Sequence, residues 1–288
     1  MIEVRGLTFT YPGAEAPAVS GLDFEVAEGE VFGFLGPSGA GKSTTQNVLI
    51  GLLRGFEGQA QVLGRAVDQW GSELYRTIGV SFETPNHYVK LTARENLEYF
   101  RDLYDGDAEA ADAVLEWVGL EQHADKRVGA FSKGMKNRLN LARSLLHRPR
   151  LWFLDEPTAG LDPVNAVRVR DLVVERREQG VTTFLTTHDM KTAETLCDRV
   201  AFIVDGRIAI IDSPDELRRR YGRREVELSF AAVDSVSGDE EKQSFPLDGL
   251  ASNGAFLEAL ARPSLQSMHS QEASLEQVFV EVTGRELS

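Results

Sequence analysis

Apolar and polar positions alternate over the first thirty residues, with Val4, Leu7 and Phe9, then Leu22, Phe24 and Val26, at the apolar places. A period near two predicts two half-buried antiparallel strands, the first ended by Tyr11-Pro12-Gly13. Val31-Phe32-Gly33-Phe34-Leu35 breaks the alternation as a short continuous apolar run, the mark of a strand buried on both faces. Such runs return at Leu151 to Leu154, Val181 to Leu185 and Val200 to Val204, separated by helical spacing over about Val164 to Gln179 and Lys191 to Leu196. That alternation predicts a doubly wound parallel sheet, an α/β fold. Between the first two buried runs, the pattern predicts a helix over about Lys42 to Leu53, a strand near Gln59 to Leu63, a helix near Asp68 to Arg76, and a strand from Thr77 to Phe82.

The section from about residue 84 to 150 changes to helical periodicity and reads as an inserted helical subdomain. Thr92-Ala93-Arg94-Glu95 looks like a capped start, followed by the apolar stripe Leu97, Tyr99-Phe100, Leu103-Tyr104. A second amphipathic stretch ends at Gly119, and a third runs from about Ser132 to His147. Gly206 predicts a hairpin turn into Ile208 to Ile211, and Ser213-Pro214-Asp215-Glu216 starts another helix. Beyond Arg220 the texture shifts. Residues 223–288 predict a small α+β appendage, with weak strands around the polar stretch Val236 to Lys242 and helices near Gly254 to Leu260 and Leu275 to Val282.

Composition narrows the partners. Acidic residues outnumber basic ones 45 to 31, for a formal net charge of −14. A chain that neutralised nucleic-acid phosphates would need a basic face, so nucleic acid is not the expected partner. The one marked basic cluster, Arg218-Arg219-Arg220 with Arg223-Arg224, reads as a solvated helix end, or else as a contact to anionic headgroups. The single cysteine, Cys197, excludes an internal disulfide and reads as a buried small apolar side chain. The histidines lack metal-ligand spacing, and no apolar run approaches the ~20 residues that span a bilayer.

Chemistry begins where the first buried run ends. Gly36-Pro37-Ser38-Gly39-Ala40-Gly41-Lys42-Ser43-Thr44 fits the phosphate-binding pattern G-x-x-x-x-G-K-[ST], with a strand before it and a helix after it. Glycines let backbone N–H groups turn inward around an anionic phosphate, and the helix points its positive dipole end at the same place. Lys42 would reach the β- and γ-phosphates, and the Ser43 hydroxyl would be a ligand of Mg²⁺. The pattern implies a P-loop NTPase core that binds a nucleoside triphosphate. Leu151 to Leu154 runs into Asp155-Glu156, placed to hold Mg²⁺ through Asp155 and to polarise an attacking water through Glu156.

Three further segments carry a resemblance: Phe131-Ser132-Lys133-Gly134-Met135 opening a basic helix, Ala159-Gly160-Leu161-Asp162, and Thr186-Thr187-His188-Asp189. With the P-loop and the Asp-Glu pair, their order and identity resemble the nucleotide-binding subunit of ATP-binding cassette (ABC) transporters over about the first 220 residues. The resemblance implies a nucleotide-binding domain at 1–222 and an accessory domain at 223–288. It further implies that two cassettes pair head to tail, ATP lying between one P-loop and the partner's signature helix. Ser132 and Gly134 would then bind the γ-phosphate across that interface, Asp162 would sit in the cross-interface loop, His188 would contact the γ-phosphate, and Tyr11 would stack on adenine. A separate transmembrane permease would be the other partner, with this subunit peripheral on the cytoplasmic face of the membrane.

The chain departs from the family at three places. Lys133 replaces the second glycine of the signature L-S-G-G-Q and Met135 its glutamine, a form that resembles the drug- and polysaccharide-exporter ATPases, as does Ser274 to Gly284. Glu83, in Ser81-Phe82-Glu83-Thr84, stands where the family has a glutamine that touches Mg²⁺; Glu83 is expected to be metal-proximal. The aromatic segment Pro85 to Leu91 either lines the groove where a membrane subunit docks or fills the core. An ABC ATPase of chromosome machinery is disfavoured because no heptad run separates P-loop and signature. A ribosome-associated factor would carry two cassettes, and a non-hydrolysing nucleotide sensor would not need Lys42, Asp155, Glu156 and His188 all intact.

Overall fold

The computed structural model describes residues 1–104, 106, 108–222, 225–231, 241–271 and 273–285. The chain divides into two compact units, Met1–Pro214 and Asp215–Arg285. The division falls after the first residue of the arginine-rich helix, earlier than the change of texture at residue 223.

In the first unit, β1 (Ile2–Phe9) and β2 (Val19–Val26) pair antiparallel as their alternation predicts. They are followed by β3 (Val31–Leu35) and α1 (Lys42–Leu49). Next come β4 (Glu57–Val62), β5 (Arg65–Ala66) and β6 (Ile78–Ser81). The inserted section holds α2 (Ala93–Arg101), α3 (Ala111–Trp117) and α4 (Lys133–Leu145). The chain then alternates through β7 (Leu151–Asp155), α5 (Pro163–Glu178), β8 (Thr182–Thr187), α6 (Met190–Leu196) and β9 (Arg199–Val204), and closes with β10 (Arg207–Asp212).

Strands β2-β1-β4-β5 form one sheet and β10-β9-β3-β8-β7-β6 the other. Neighbours from β9 to β6 in the second sheet are parallel, as the buried apolar runs require, and only β10 joins by an antiparallel hairpin. The two sheets share one core. Phe24 of β2 lies against Phe32 and Phe34 of β3 and Phe184 of β8, at centroid distances of 5.8, 5.5 and 6.1 Å. The capped start at Thr92 is a full capping box, Thr92 and Glu95 each bonding the other's backbone N–H.

Two local expectations fail. No α-helix forms over Asp68 to Arg76: Trp70 and Gly71 are extended, the Trp70 indole N–H donates to the Val62 carbonyl (3.0 Å), and only two 3₁₀ turns flank the break. Helix α1 stops at Leu49, short of Leu53, because the Leu52 and Leu53 N–H groups both turn back to the Asn47 carbonyl.

The second unit contains the rest of α7 (Pro214–Tyr221), then β11 (Glu225–Phe230), β12 (Glu241–Pro246), α8 (Gly254–Leu260), β13 (Leu265–Gln271) and α9 (Leu275–Thr283). Its antiparallel sheet has the order β12-β11-β13 around Val226, Leu228, Phe230, Phe245 and Phe256. Strand β13 escapes sequence reading because Leu265-Gln266-Ser267-Met268-His269-Ser270-Gln271 has only two large apolar residues. The expected turn at Val236 to Lys242 lies outside the described residues up to 240; its last two residues begin β12. In α7, Arg218 pairs with Asp215 and Arg219 with Glu216, the pattern of a solvated helix face, while Arg223 and Arg224 lie outside the described residues. Among the described residues no helix is long and apolar enough to cross a membrane.

Candidate nucleotide site

Parallel strands end on a common edge, and the order β3-β8-β7-β6 lines up four loops there. The P-loop follows β3, His188 follows β8, Asp155 ends β7 with Glu156 next after it, and Glu83 lies just past β6. Register keeps them level, since Leu35 pairs with Thr187, Asp155 with Thr186, and Ser81 with Leu154.

The P-loop fits its place only with glycine at two points. A Cβ at Gly36 would lie 2.2 Å from the Ile203 carbonyl oxygen, and Gly41 adopts φ +106° with Val19 2.6 Å from where its Cβ would be. Lys42 is buried and its Nζ donates to the carbonyls of Gly36 (2.7 Å) and Pro37 (3.0 Å), so the ammonium is held inside the loop. Desolvation holds its pKa below the ordinary lysine value, against the attraction of Glu156, Asp155 and Glu83. Ser38, Gly39 and Ser43 are exposed along the loop, and Ala40 and Thr44 are buried beneath it. The Tyr11 hydroxyl is 3.2 Å from the Thr44 hydroxyl, its ring lies at 88° to that of Phe9, and the residue is 40% exposed.

Burial also pushes the Asp155 carboxyl above the usual range, an effect that Glu156 and Glu83 reinforce; the Thr186 hydroxyl, donating at 2.5 Å, opposes it. Glu156 is 8% exposed and sits in the left-handed backbone region (φ +48°), rare for a side-chain-bearing residue. That turn brings its carboxylate onto three donors. Thr187 Oγ1 donates to Oε2 (2.8 Å), while His188 N (3.0 Å) and Nδ1 (2.7 Å) lie on Oε1. An ionised carboxylate has no proton to give, so Nδ1 donates and the other ring nitrogen is left for a ligand. The His188 side chain is 59% exposed, so it bridges the buried glutamate and the open edge.

Ser132, Gly134 and Asp162 gather elsewhere. Ser132 caps α4 by accepting from Met135 N (3.2 Å), Gly134 lies against Leu161 and Gly160, and Asp162 caps α5 by accepting from Asn165 N (3.0 Å). None of the three bonds to a P-loop residue among the described residues. Both caps are exposed, so the start of α4 faces solvent rather than its own chain's P-loop. Tyr88 is 48% exposed and packs edge-on to Tyr99, so this aromatic lies at the surface rather than in the core.

Sequence reasoning missed the residues that hold the site residues. Thr186 and Thr187 are fully buried hydroxyls at the end of an apolar strand, and that placement was their signal. Asn140, buried in α4, donates to Ser81 Oγ and Phe82 O; its signal was an amide inside the apolar run Leu139 to Ala142.

Comparison with known proteins gives the following similarities. The family described as ABC transporter matches residues 19–159, and that described as fluoroquinolone efflux ABC transporter C-terminal domain matches residues 233–272. The fluoroquinolones export ATP-binding protein of Mycobacterium tuberculosis strain H37Rv is 54% identical over 288 residues, covering 100% of this chain and 95% of that protein. The bacitracin transport ATP-binding protein BcrA of Bacillus licheniformis is 39% identical over 80% of this chain and 75% of its own. Among solved structures, a dimeric, post-hydrolysis ATP-binding cassette bound to ADP and Pi superposes with a TM-score of 0.68 at 28% identity, over 74% of this chain and 98% of that one.

Proposed function

The chain belongs to the ATP-binding proteins of the ABC transporter family, and on that premise we propose how its residues energise export. The observation that carries the reading is the alignment of P-loop, His188, Asp155-Glu156 and Glu83 along one strand edge, with Glu156 bonded to His188. Lys42 binds the β- and γ-phosphates, and the loop N–H groups from Gly36 to Thr44 wrap them. Glu156 takes a proton from the attacking water, and His188 orients both that water and the γ-phosphate. Tyr11 stacks on the adenine.

Magnesium fits the donor set, which is all oxygen. Among the described residues no group of three or more His, Cys, Asp or Glu could hold a metal ion by itself. Ser43 and Asp155 would hold it, with Glu83 close by, and the ion would neutralise charge on the triphosphate. A second cassette supplies Ser132, Gly134 and Asp162 to the ATP, which accounts for their exposure away from this chain's own P-loop. ATP favours the closed pair because it contacts both cassettes only in that state, and hydrolysis releases it.

The permease is a separate membrane chain that docks on the Tyr88–Tyr99 patch, so the subunit works at the cytoplasmic face of the membrane. The cargo is a drug of the fluoroquinolone class, a reading supported by the full-length relative and the C-terminal family match. The test is capture of tagged Glu156→Gln protein with Mg-ATP from detergent-solubilised membranes. Recovery of a polytopic membrane protein, whose co-expression lowers fluoroquinolone accumulation, supports the assignment. A catch confined to soluble proteins overturns it.

A further inference from the structure

We propose that Asn140 is a positioning residue for the ATPase reaction: from within α4 it fixes the strand end that sets Glu83 beside the Asp155 end of β7. The proposal rests on the metal-proximal reading of Glu83. No hydrogen bond or ion pair among the described residues fixes the exposed Glu83 carboxylate itself. The backbone on either side is fixed instead, and from one helix.

Asn140 Nδ2 donates to Ser81 Oγ and to Phe82 O, both at 3.0 Å, and its Oδ1 accepts from Arg143 Nη2 (2.6 Å). Arg143 Nη1 donates onward to Asn86 O (2.6 Å), and the guanidinium stacks on Phe100 with its carbon 4.6 Å from the ring centre. One residue further along, His87 Nε2 donates to Lys136 O (2.9 Å). The carbonyls of Phe82 and Asn86 thus bracket Glu83, and one linked pair of α4 side chains holds both. Ser81 pairs with Leu154, the residue before Asp155, so Glu83 follows β6 at the edge where Asp155 ends β7, and where this segment sits decides how much negative charge the nucleotide site sees.

The residue type argues for a role beyond filling space. Asn140 is 1% exposed, inside a helix, between Leu139 and Leu141. Asparagine is a poor helix former there, and a buried amide is costly unless its donors and acceptor are all used. Here both donors and the acceptor are engaged. Alanine or leucine would serve the packing at that position, whereas the amide serves the segment that carries Glu83.

A double-mutant cycle tests this. The Mg²⁺ concentration for half-maximal ATP hydrolysis, and that for half-maximal binding of a fluorescent ATP analogue, are measured for wild type, Asn140→Ala, Glu83→Ala and the double variant, with melting temperatures alongside. Loss of one or two net hydrogen bonds predicts that Asn140→Ala moves both midpoints by about 5- to 30-fold, and that the double variant matches Glu83→Ala alone. Equal shifts from Asn140→Ala in both backgrounds, or no shift, overturn the proposal. If Glu83→Ala itself leaves both midpoints unchanged, the reading of Glu83 fails instead. Should Asn140→Ala not fold, Asn140→Ser keeps one donor and must show the same non-additivity at smaller size.

Discussion

Replacing Glu156 by glutamine separates chemistry from folding, and the site geometry says by how much. The carboxylate accepts from Thr187 Oγ1, His188 N and His188 Nδ1. A glutamine carbonyl at the Oε1 place keeps both His188 donors. Its amide then faces the Thr187 hydroxyl, which already accepts from Asp189 N and must turn its proton elsewhere. All three bonds lose the carboxylate's charge and one has its donor reversed, at about 2–3 kcal/mol in total, inside the margin of an ordinary domain. Losing a general base costs about 10²- to 10⁴-fold in rate, or roughly 3–5 kcal/mol of barrier. Phosphate release in excess Mg-ATP should therefore fall at least about a hundredfold, while the melting temperature drops by only a few degrees. Light scattering should show an ATP-dependent pair of cassettes that persists because it no longer hydrolyses its ligand. A folded Glu156→Gln protein that turns over within a few-fold of wild type would sink the base assignment and the argument from the His188 bond with it.

Other consequences can be checked separately. Burial depresses the His87 pKa from 6.5 to about 4. The unfolded chain then binds the proton at higher pH than the folded one, so this contribution is complete above about pH 6.5 and is lost as pH falls toward 4, by about 3 kcal/mol at most. Denaturation at pH 7 and pH 4.5 should show a smaller acid loss in His87→Gln than in wild type; equal losses refute it. Gly36→Ala would push a methyl into the Ile203 carbonyl, 2.2 Å from the ideal Cβ, and should destabilise the protein by more than about 2 kcal/mol while abolishing nucleotide binding. Wild-type melting in that variant would mean the P-loop and β9 part easily. Tyr88→Glu, on the exposed patch, should leave melting and ATPase near wild type and abolish co-purification with the membrane partner. A large drop in melting temperature would instead mark Tyr88 as a packing residue.

The elements themselves were legible because their signals are local. Alternation in β1 and β2, continuous apolar runs in β3, β7, β8 and β9, and Thr92 with Glu95 at the start of α2 each depend on neighbours a few residues away. The failures were local preferences overruled from a distance, as where Val62 takes the Trp70 indole and breaks the expected helix, or where β13 forms on a polar stretch because β11 offers an edge. The P-loop and the Asp-Glu pair were equally plain, since phosphate chemistry confines them to a contiguous motif at a strand end.

Sequence alone therefore determined which residues are candidates to hold a triphosphate, and that a buried parallel sheet carries them. Only the tertiary structure decided the arrangement. Strand order put His188 between the P-loop and Glu156, the left-handed turn at Glu156 aimed its carboxylate at His188, and Asn140 reached across 59 positions to the strand end before Glu83. Such contacts join residues that share no period and no motif, because a hydrogen bond depends on a few ångströms of space and not on separation along the chain.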